Sequence, residues 1–170
     1  MEWRYVVALG SNRRHCRHGG PSKVLAAALR ELGDAFRVSR IGPILSTAPL
    51  GDSRRRYANT AVLLHSRLLP DRLLGRLKAI ERRFGRRPGG RRWGDRVLDL
   101  DLLLWEGGAW VSKDLVVPHV HFRSRAFALS PAARIAPNWR DPLTGLTLRQ
   151  LDARLTRSQR LPIGHTRSGP

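Results

Sequence analysis

The run VLDLDLLLW at residues 97–105 sets two carboxylates among leucines and constrains the fold more than any other stretch of the chain. Its length and apolar content predict a strand, whose side chains alternate between the two faces of a sheet. The leucines at the even positions 98 to 104 are expected on the packed face. Asp99, Asp101, Leu103 and Trp105 are expected on the other face. Because an unpaired buried carboxylate is costly, that second face should meet water, cations or a metal.

The pattern around this run predicts strands and helices in a defined order. The expected elements are a strand at 3–11, a helix from 21 that is capped at Gly33, a broken strand at 36–50, a strand at 57–68, a helix at 70–85 and the strand at 97–105. This order is the βαββαβ ferredoxin-like pattern of the α+β class, an antiparallel sheet with helices packed on one face. C-terminal additions follow, with an edge strand at 114–118 and a helix at 122–135.

Length and composition predict one domain at residues 1–155 and a flexible tail at 156–170. No apolar run approaches the roughly 20 residues of a membrane span, and the N-terminus does not have the pattern of a secretory signal. Cys16 is the single cysteine, so no disulfide framework is expected. We therefore expect a monomer in the cytoplasm that does not associate with membranes.

The charge balance is strongly basic, with 32 Lys and Arg against 13 Asp and Glu and a net charge of +19. Such an excess favours polyanionic partners, either nucleic acid or a polyphosphate substrate. Only Lys23, Lys78 and Lys113 are lysines, so an arginine bias in amino-acid usage would give the same excess. The basic residues are spread along the chain without a long block, and nucleic acid is not the partner we expect.

The two aspartates could hold a metal ion. Their Cα atoms should lie about 6.6 Å apart, at about 3.3 Å per residue of strand. Carboxylate oxygens favour Mg²⁺, which usually also binds substrate phosphates. The alternative is a solvated sheet face on which Asp99 and Asp101 pair with arginines.

Arginines just before the strand support phosphate chemistry. Arg86, Arg91, Arg92 and Arg96 lie in the preceding loop, and guanidinium groups match phosphate oxygens. Trp93 in the same loop either stacks on a flat heterocycle or anchors the loop on the sheet. In the strand at 57–68, the amide of Asn59 either forms hydrogen bonds with the polar ring of a ligand or makes a cross-strand hydrogen bond. The chain has no G-x-x-x-x-G-K-[ST] loop, so an ATP-dependent reaction here would not use a P-loop.

Eight stretches resemble the 6-hydroxymethyl-7,8-dihydropterin pyrophosphokinase family, in the order in which that family carries them. The most specific is RRWGDRVLDLDLLL at 91–104. The others are VALGSN at 7–12, STAPLG at 46–51, YANTAV at 57–62, IERRFGR at 80–86, VPH at 117–119, RAF at 125–127 and IAP at 135–137. The resemblance covers residues 5–150 and implies a ferredoxin-like fold. It also implies transfer of the β,γ-pyrophosphoryl group of MgATP to the pterin hydroxymethyl oxygen, with release of AMP, in folate biosynthesis.

The resemblance also implies roles for individual residues. Asp99 and Asp101 would hold two Mg²⁺ ions, and Arg86 and Arg96 match the catalytic arginines of the family. The implied ATP-binding residues are Lys78, Glu81, Arg92, Trp93, Arg96, Leu102, His119 and Arg125. The implied pterin-binding residues are Thr47, Ala48, Leu50, Tyr57, Asn59, Trp93 and Phe127.

Some positions depart from the family pattern. Asp95 stands where a proline is usual, and Val120 follows His119 where a proline is frequent. Two alternatives remain open at this point. One is a basic ferredoxin-like module that binds nucleic acid, and the other is an inactive relative that binds pterin or nucleotide.

Overall fold

The computed structural model describes residues 1–47, 57–85 and 96–158. The strands are β1 (Trp3–Ser11), β2 (Arg37–Ile41), β3 (Leu45–Thr47), β4 (Tyr57–Ser66), β5 (Asp99–Trp105), β6 (Trp110–Val111) and β7 (Val116–Val117). The helices are α1 (Pro21–Ala35), α2 (Pro70–Arg83), α3 (Ala126–Ile135) and α4 (Leu148–Ser158), with a 3-10 turn at Phe122–Ser124. The main sheet is antiparallel in the order β2-β4-β1-β5, and β3 also pairs with β4. The predicted fold class is confirmed.

The first two helices pack on one face of the sheet, as predicted. Proline at the first position of each helix suits the helix start, because the missing N–H would have no intrahelical partner there. Leu25 and Leu32 of α1, together with Leu73 and Leu77 of α2, are fully buried against this face. Strands β1, β4 and β5 supply alternate residues to this core, among them Val7, Leu9, Val62, Leu64, Leu100 and Leu102.

The C-terminal additions cover part of the opposite face. Leu129 and Ala132 of α3 and Leu148 of α4 are buried in a second core there. Strands β1, β4 and β5 contribute side chains from their other face to it, including Val6, Ala61, Leu63 and Leu104. The second face is therefore closed by helices over half of its length, and only its other half faces a cavity.

A β-bulge at Leu103 changes the face assignment that alternation predicts for β5. Leu102 pairs with Val7 and Leu104 with Val6, so Leu103 is an extra residue opposite the break between Val6 and Val7. After this bulge the alternation is inverted. The expectation that Leu104 lies with the other even leucines is therefore wrong, since Leu104 packs in the second core. Trp105, expected beside the aspartates, packs instead in the first core.

Other boundaries differ for local reasons. The broken strand at 36–50 becomes β2 and β3, separated by Gly42, where an added Cβ atom would lie 3.2 Å from the carbonyl oxygen of Ala61. The predicted edge strand is β7, which pairs with β6 in a separate two-stranded sheet. The predicted helix at 122–135 is a 3-10 turn followed by α3.

Helix α4 has no counterpart among the predicted elements, and it extends to Ser158, beyond the expected domain boundary at residue 155. Residues 159–170 of the expected tail lie outside the described residues. Among the residues that the structure describes, none of the helices combines the length and apolar character needed to span a membrane.

Candidate active site

A cavity of about 250 Å³ opens where β1, β4 and β5 reach the uncovered half of the second face. Strand β1 and the residue after it supply Ala8, Gly10 and Asn12, strand β4 supplies Tyr57 and Asn59, and strand β5 supplies Asp99 and Asp101. The segment that precedes α3 closes the cavity from the other side with His119, His121, Phe122 and Arg125. Polar and charged groups from four separate parts of the chain therefore meet around one space.

Gly10 separates the polar groups of the two neighbouring strands. It lies between Asn59 of β4 and Asp99 of β5, with which it is in register. A Cβ atom on Gly10 would lie 3.3 Å from Oδ1 of Asn59. The absence of a side chain at this position keeps the space between the amide and the carboxylate open to a ligand.

The two aspartates lie on the same face of β5, next to the cavity, as the alternation predicts. Burial raises the pKa of Asp101, and the negative charge of Asp99 raises it further. His119, Lys78 and Arg96 act in the opposite direction. Two neighbouring carboxylates, both partly buried, favour binding of a divalent cation. The positive charge of the cation would offset both the cost of burying a carboxylate and the repulsion between the two.

The donor chemistry of the pair fits Mg²⁺, which prefers carboxylate oxygens. Over residues 1–47, 57–85 and 96–158, no group of three or more His, Cys, Asp or Glu side chains could hold a metal. Asp99 and Asp101 both border the cavity and could hold such an ion as a pair, with water and ligand oxygens completing its shell.

Arg96 is held beside the aspartates by Asn12. The backbone N–H of Arg96 donates to Oδ1 of Asn12 at 2.7 Å, and the backbone N–H of Asn12 donates to the carbonyl of Arg96 at 3.1 Å. Nη1 of Arg96 donates to Oδ2 of Asp99 at 2.6 Å. Asn12 is only 2% exposed, so this reciprocal pair fixes the start of β5 and with it the guanidinium. The position of Asn12, directly after the Gly-Ser end of β1, was the only sequence signal for this role.

His119 is anchored to β5, since its backbone N–H donates to the carbonyl of Leu103 at 3.0 Å. Its Nδ1 accepts the backbone N–H of His121 at 3.2 Å, so a neutral ring carries its proton on Nε2. Burial lowers the pKa of His119, Arg125 lowers it further, and Asp101 acts in the opposite direction.

Lys78, Glu81 and Leu102 lie on the other side of β5. Glu81 is fully buried, and its Oε1 accepts the backbone N–H of Leu100 at 2.7 Å and Nζ of Lys78 at 3.1 Å. This carboxylate links α2 to β5. Lys78 and Leu102 border a second cavity, of about 370 Å³, which shares Asp101 and His119 with the first. The two cavities therefore adjoin at these two residues.

Tyr57, Asn59 and Phe127, three of the implied pterin residues, all border the first cavity. Thr47 pairs with Tyr57 at the end of β3, and its side chain is outside the described part of the chain. Five further predicted site residues lie outside the described residues, as does Asp95: Ala48, Leu50, Arg86, Arg92 and Trp93. His121 and Phe122 also border the cavity and were not among the predicted site residues.

Comparison with known proteins assigns this site to a family. The family model of 7,8-dihydro-6-hydroxymethylpterin-pyrophosphokinase matches residues 6–137, which include every described cavity residue. The chain belongs to this family. The family model and the relatives below confirm both the family predicted from the sequence and the prediction of a pyrophosphokinase.

Several curated relatives carry the name 2-amino-4-hydroxy-6-hydroxymethyldihydropteridine pyrophosphokinase. The one from Pseudomonas aeruginosa is 39% identical over 149 residues, which cover 84% of this chain and 86% of the relative. The one from Methylorubrum extorquens is 37% identical over 155 residues, covering 89% and 93%.

Solved structures of pyrophosphokinases share the fold. A crystal structure of Plasmodium falciparum HPPK-DHPS with pteroate superposes with a TM-score of 0.69 at 11% identity. The superposition covers 94% of this chain and 43% of the Plasmodium chain, so the present pyrophosphokinase spans less than half of that protein.

Proposed function

We propose that this pyrophosphokinase transfers the β,γ-pyrophosphoryl group of ATP to the hydroxymethyl oxygen of 6-hydroxymethyl-7,8-dihydropterin, in folate biosynthesis. In this step the oxygen bonds to the β-phosphorus and the bond from that phosphorus to the α,β-bridging oxygen breaks. AMP leaves with the electron pair, and the hydroxyl proton is lost to solvent or a nearby base. Further parts of the proposal are that the chain acts as a monomer in the cytoplasm and that two Mg²⁺ ions take part.

One observation carries the proposal: Asp99 and Asp101 share a cavity with Asn59 and Tyr57 on one side and with His119 and Arg125 on the other. An enzyme that joins a flat polar ring to a polyphosphate needs recognition groups for both on either side of the reacting oxygen. β1 separates the aspartates on β5 from Tyr57 and Asn59 on β4, while the backbone of His119 is hydrogen-bonded to β5 itself. The same cavity would suit a nucleic-acid-binding module poorly, because two neighbouring carboxylates repel phosphate unless a cation lies between them.

Asp99 and Asp101 would hold the Mg²⁺ in this scheme. When bound, Mg²⁺ supplies charge neutralisation on the phosphate oxygens. Arg96 already lies on Asp99, and its delocalised positive charge is available to a neighbouring phosphate without a change in protonation. Arg125 supplies a second guanidinium from the opposite wall. These groups stabilise the charge that develops as the pyrophosphoryl group moves.

Asn59 and Tyr57 would orient the pterin. Asn59 is only 3% exposed, and its amide offers both donors and an acceptor to a ring that carries both. Phe127, also at the cavity, offers an apolar face for stacking. The second cavity, beside Lys78 and Leu102, is the space we assign to the nucleoside part of ATP.

The test is the reaction of purified protein with MgATP and hydroxymethyl-dihydropterin, with both products separated by chromatography. AMP and the pterin diphosphate, formed in equal amounts, are expected. ADP as the nucleotide product, or no turnover at any Mg²⁺ concentration, would refute the proposal. An inactive relative would bind the pterin in a fluorescence titration and yet give no AMP.

The assignment of the aspartates has its own test. Asp99→Asn and Asp101→Asn should each lower kcat by at least about 100-fold, as loss of a main electrostatic group does in other enzymes. Their melting temperatures should stay close to that of the wild type, since neither side chain belongs to the two apolar cores. Retention of wild-type kcat by either variant would contradict the assignment.

A further inference from the structure

The short segment from His119 to Arg125 carries two proposed nucleotide contacts and has little regular structure of its own. His119 is anchored by one backbone hydrogen bond to β5, and Phe122–Ser124 form a single 3-10 turn. Arg125 directly precedes α3 as its N-cap residue, and its carbonyl accepts the N–H groups of Ala128 and Leu129. Isolated turns of this kind are held in place by tertiary contacts and not by their own hydrogen bonds.

The strongest of these contacts joins Arg123 to Asp141. Nε and Nη2 of Arg123 donate to the two carboxylate oxygens of Asp141, at 2.8 and 2.5 Å. This is the bidentate arrangement that fixes orientation as well as distance. The Asp141 side chain is fully buried and that of Arg123 is 26% exposed, so the carboxylate is better shielded from competing water and salt than the guanidinium is.

Asp141 is itself held rigidly. Thr144 Oγ1 donates to its Oδ2 at 2.6 Å, and the N–H of Leu143 donates to its Oδ1. Its own backbone pairs with Leu146 and Gly145, which closes the turn between α3 and α4. Burial alone would raise the pKa of Asp141, but the hydrogen bonds from Arg123, Thr144 and Leu143 outweigh it and lower the pKa.

The other end of the contact reaches the cavity wall. The guanidinium of Arg123 lies over the ring of Phe122, with 4.7 Å between its Cζ and the ring centroid. Phe122 is fully buried and borders the cavity, and Arg125, two residues after Arg123, borders it as well. A connected set of contacts thus runs from the α3–α4 turn to the wall that faces the aspartates.

We infer that Asp141 and Arg123 are positioning residues for ATP: their ion pair holds the His119–Arg125 segment so that Arg125 meets the nucleotide phosphates. This inference rests on the proposed function. It concerns ATP and not the pterin, because Tyr57 and Asn59 reach the cavity from β4, which makes no part of the contact. Phe127, the third proposed pterin residue, lies in α3 and packs against the second core.

The test compares Asp141→Asn, Arg123→Lys and Thr144→Val with the wild-type chain. Binding of MgATP is measured by calorimetry, KM is measured for both substrates, and every assay is run well below the melting temperature of each variant. We expect Asp141→Asn to weaken ATP binding and raise the KM for ATP about tenfold, with less than a twofold change for the pterin. Arg123→Lys should act in the same direction because lysine has no fork, and Thr144→Val should do so more weakly.

The chain offers a control in the pair formed by Arg4 and Glu106. Nε and Nη2 of Arg4 both donate to Oε1 of Glu106, at 2.9 and 2.6 Å, in a more exposed ion pair at the opposite end of β1 from the cavity. Glu106→Gln should leave the KM for ATP unchanged.

Each pattern of results decides the inference. A lower melting temperature with unchanged ATP affinity would mean that the ion pair only stabilises the fold. An equal loss of affinity for ATP and for the pterin would mean that the whole site has become less ordered. Either result overturns the inference. If Asp141→Asn does not fold, Arg123→Lys and Thr144→Val are judged by the same criteria. If the wild type bound ATP and formed no AMP, the proposed function would fail, while the binding ratios would still decide the role of the pair.

Discussion

Replacement of Asn12 by alanine tests whether the site depends on the hydrogen bond that holds Arg96. The change removes the acceptor of the 2.7 Å bond from the Arg96 N–H and leaves that donor in a partly buried position. Loss of a partner for a buried donor costs about 1–3 kcal/mol, so the free energy of unfolding should fall by about that amount. Urea denaturation followed by circular dichroism measures it.

Activity should fall as well, because Arg96 connects Asn12 to Asp99. If the guanidinium shifts by about 1 Å, kcat should drop up to about 100-fold. Asn12→Asp keeps an acceptor in the same position and should recover most of the stability, yet its added charge near Asp99 should keep kcat low. Asn138→Ala, at an exposed asparagine, is the matched control. Wild-type stability and kcat in Asn12→Ala, or equal instability of Asn12→Asp, would refute the reasoning.

Three further predictions concern pH, packing and loop closure. The pKa of Asp141 is lower in the folded protein than in the unfolded chain, where it is about 3.9. The stability that ionised Asp141 contributes is therefore complete above about pH 3.9 and is lost as the pH falls through the folded pKa. In acid titrations, the wild type should lose its stability advantage over Asp141→Asn below about pH 4. Gly107→Ala should lower the free energy of unfolding by about 1–3 kcal/mol, because its Cβ would lie 2.2 Å from the buried Trp105 ring. Gly75→Ala, on the exposed side of α2, should raise the free energy of unfolding by about 0.5–1 kcal/mol because alanine favours a helix over glycine. Urea denaturation of the two variants measures both changes. The polar, Gly-containing stretches at 46–56 and 85–95 are predicted from the sequence to close over both substrates. Hydrogen exchange should therefore slow at these residues when a MgATP analogue and the pterin are added together, and unchanged exchange would contradict this prediction.

Local sequence pattern was sufficient for most of the fold. A continuous apolar run with β-branched residues identified β1, and the helical spacing of apolar residues after a proline identified α1 and α2. The bulge at Leu103 could not be predicted in this way. It arises from the pairing of β5 with β1, and four consecutive apolar residues give no signal for the one that is unpaired.

The candidate site also combines residues whose placement the sequence predicted with residues whose roles it did not. The alternation of Asp99 and Asp101 within one strand predicted their common face, because that depends only on neighbours in sequence. The role of Asn12 depends on Arg96, which is 84 residues away, and that of Arg123 depends on Asp141 in a turn that the pattern did not define. Contacts of this kind join side chains across the fold, and a single sequence does not reveal them.

The double use of β1, β4 and β5 has a consequence for how the protein opens. Each of these strands sends side chains into both apolar cores. Neither core can separate from the sheet without exposing residues adjacent to the other, so both should melt in one cooperative transition. The aspartates stand on one of these shared strands. We therefore expect the carboxylates to keep their positions until the sheet as a whole unfolds, and so from one turnover to the next.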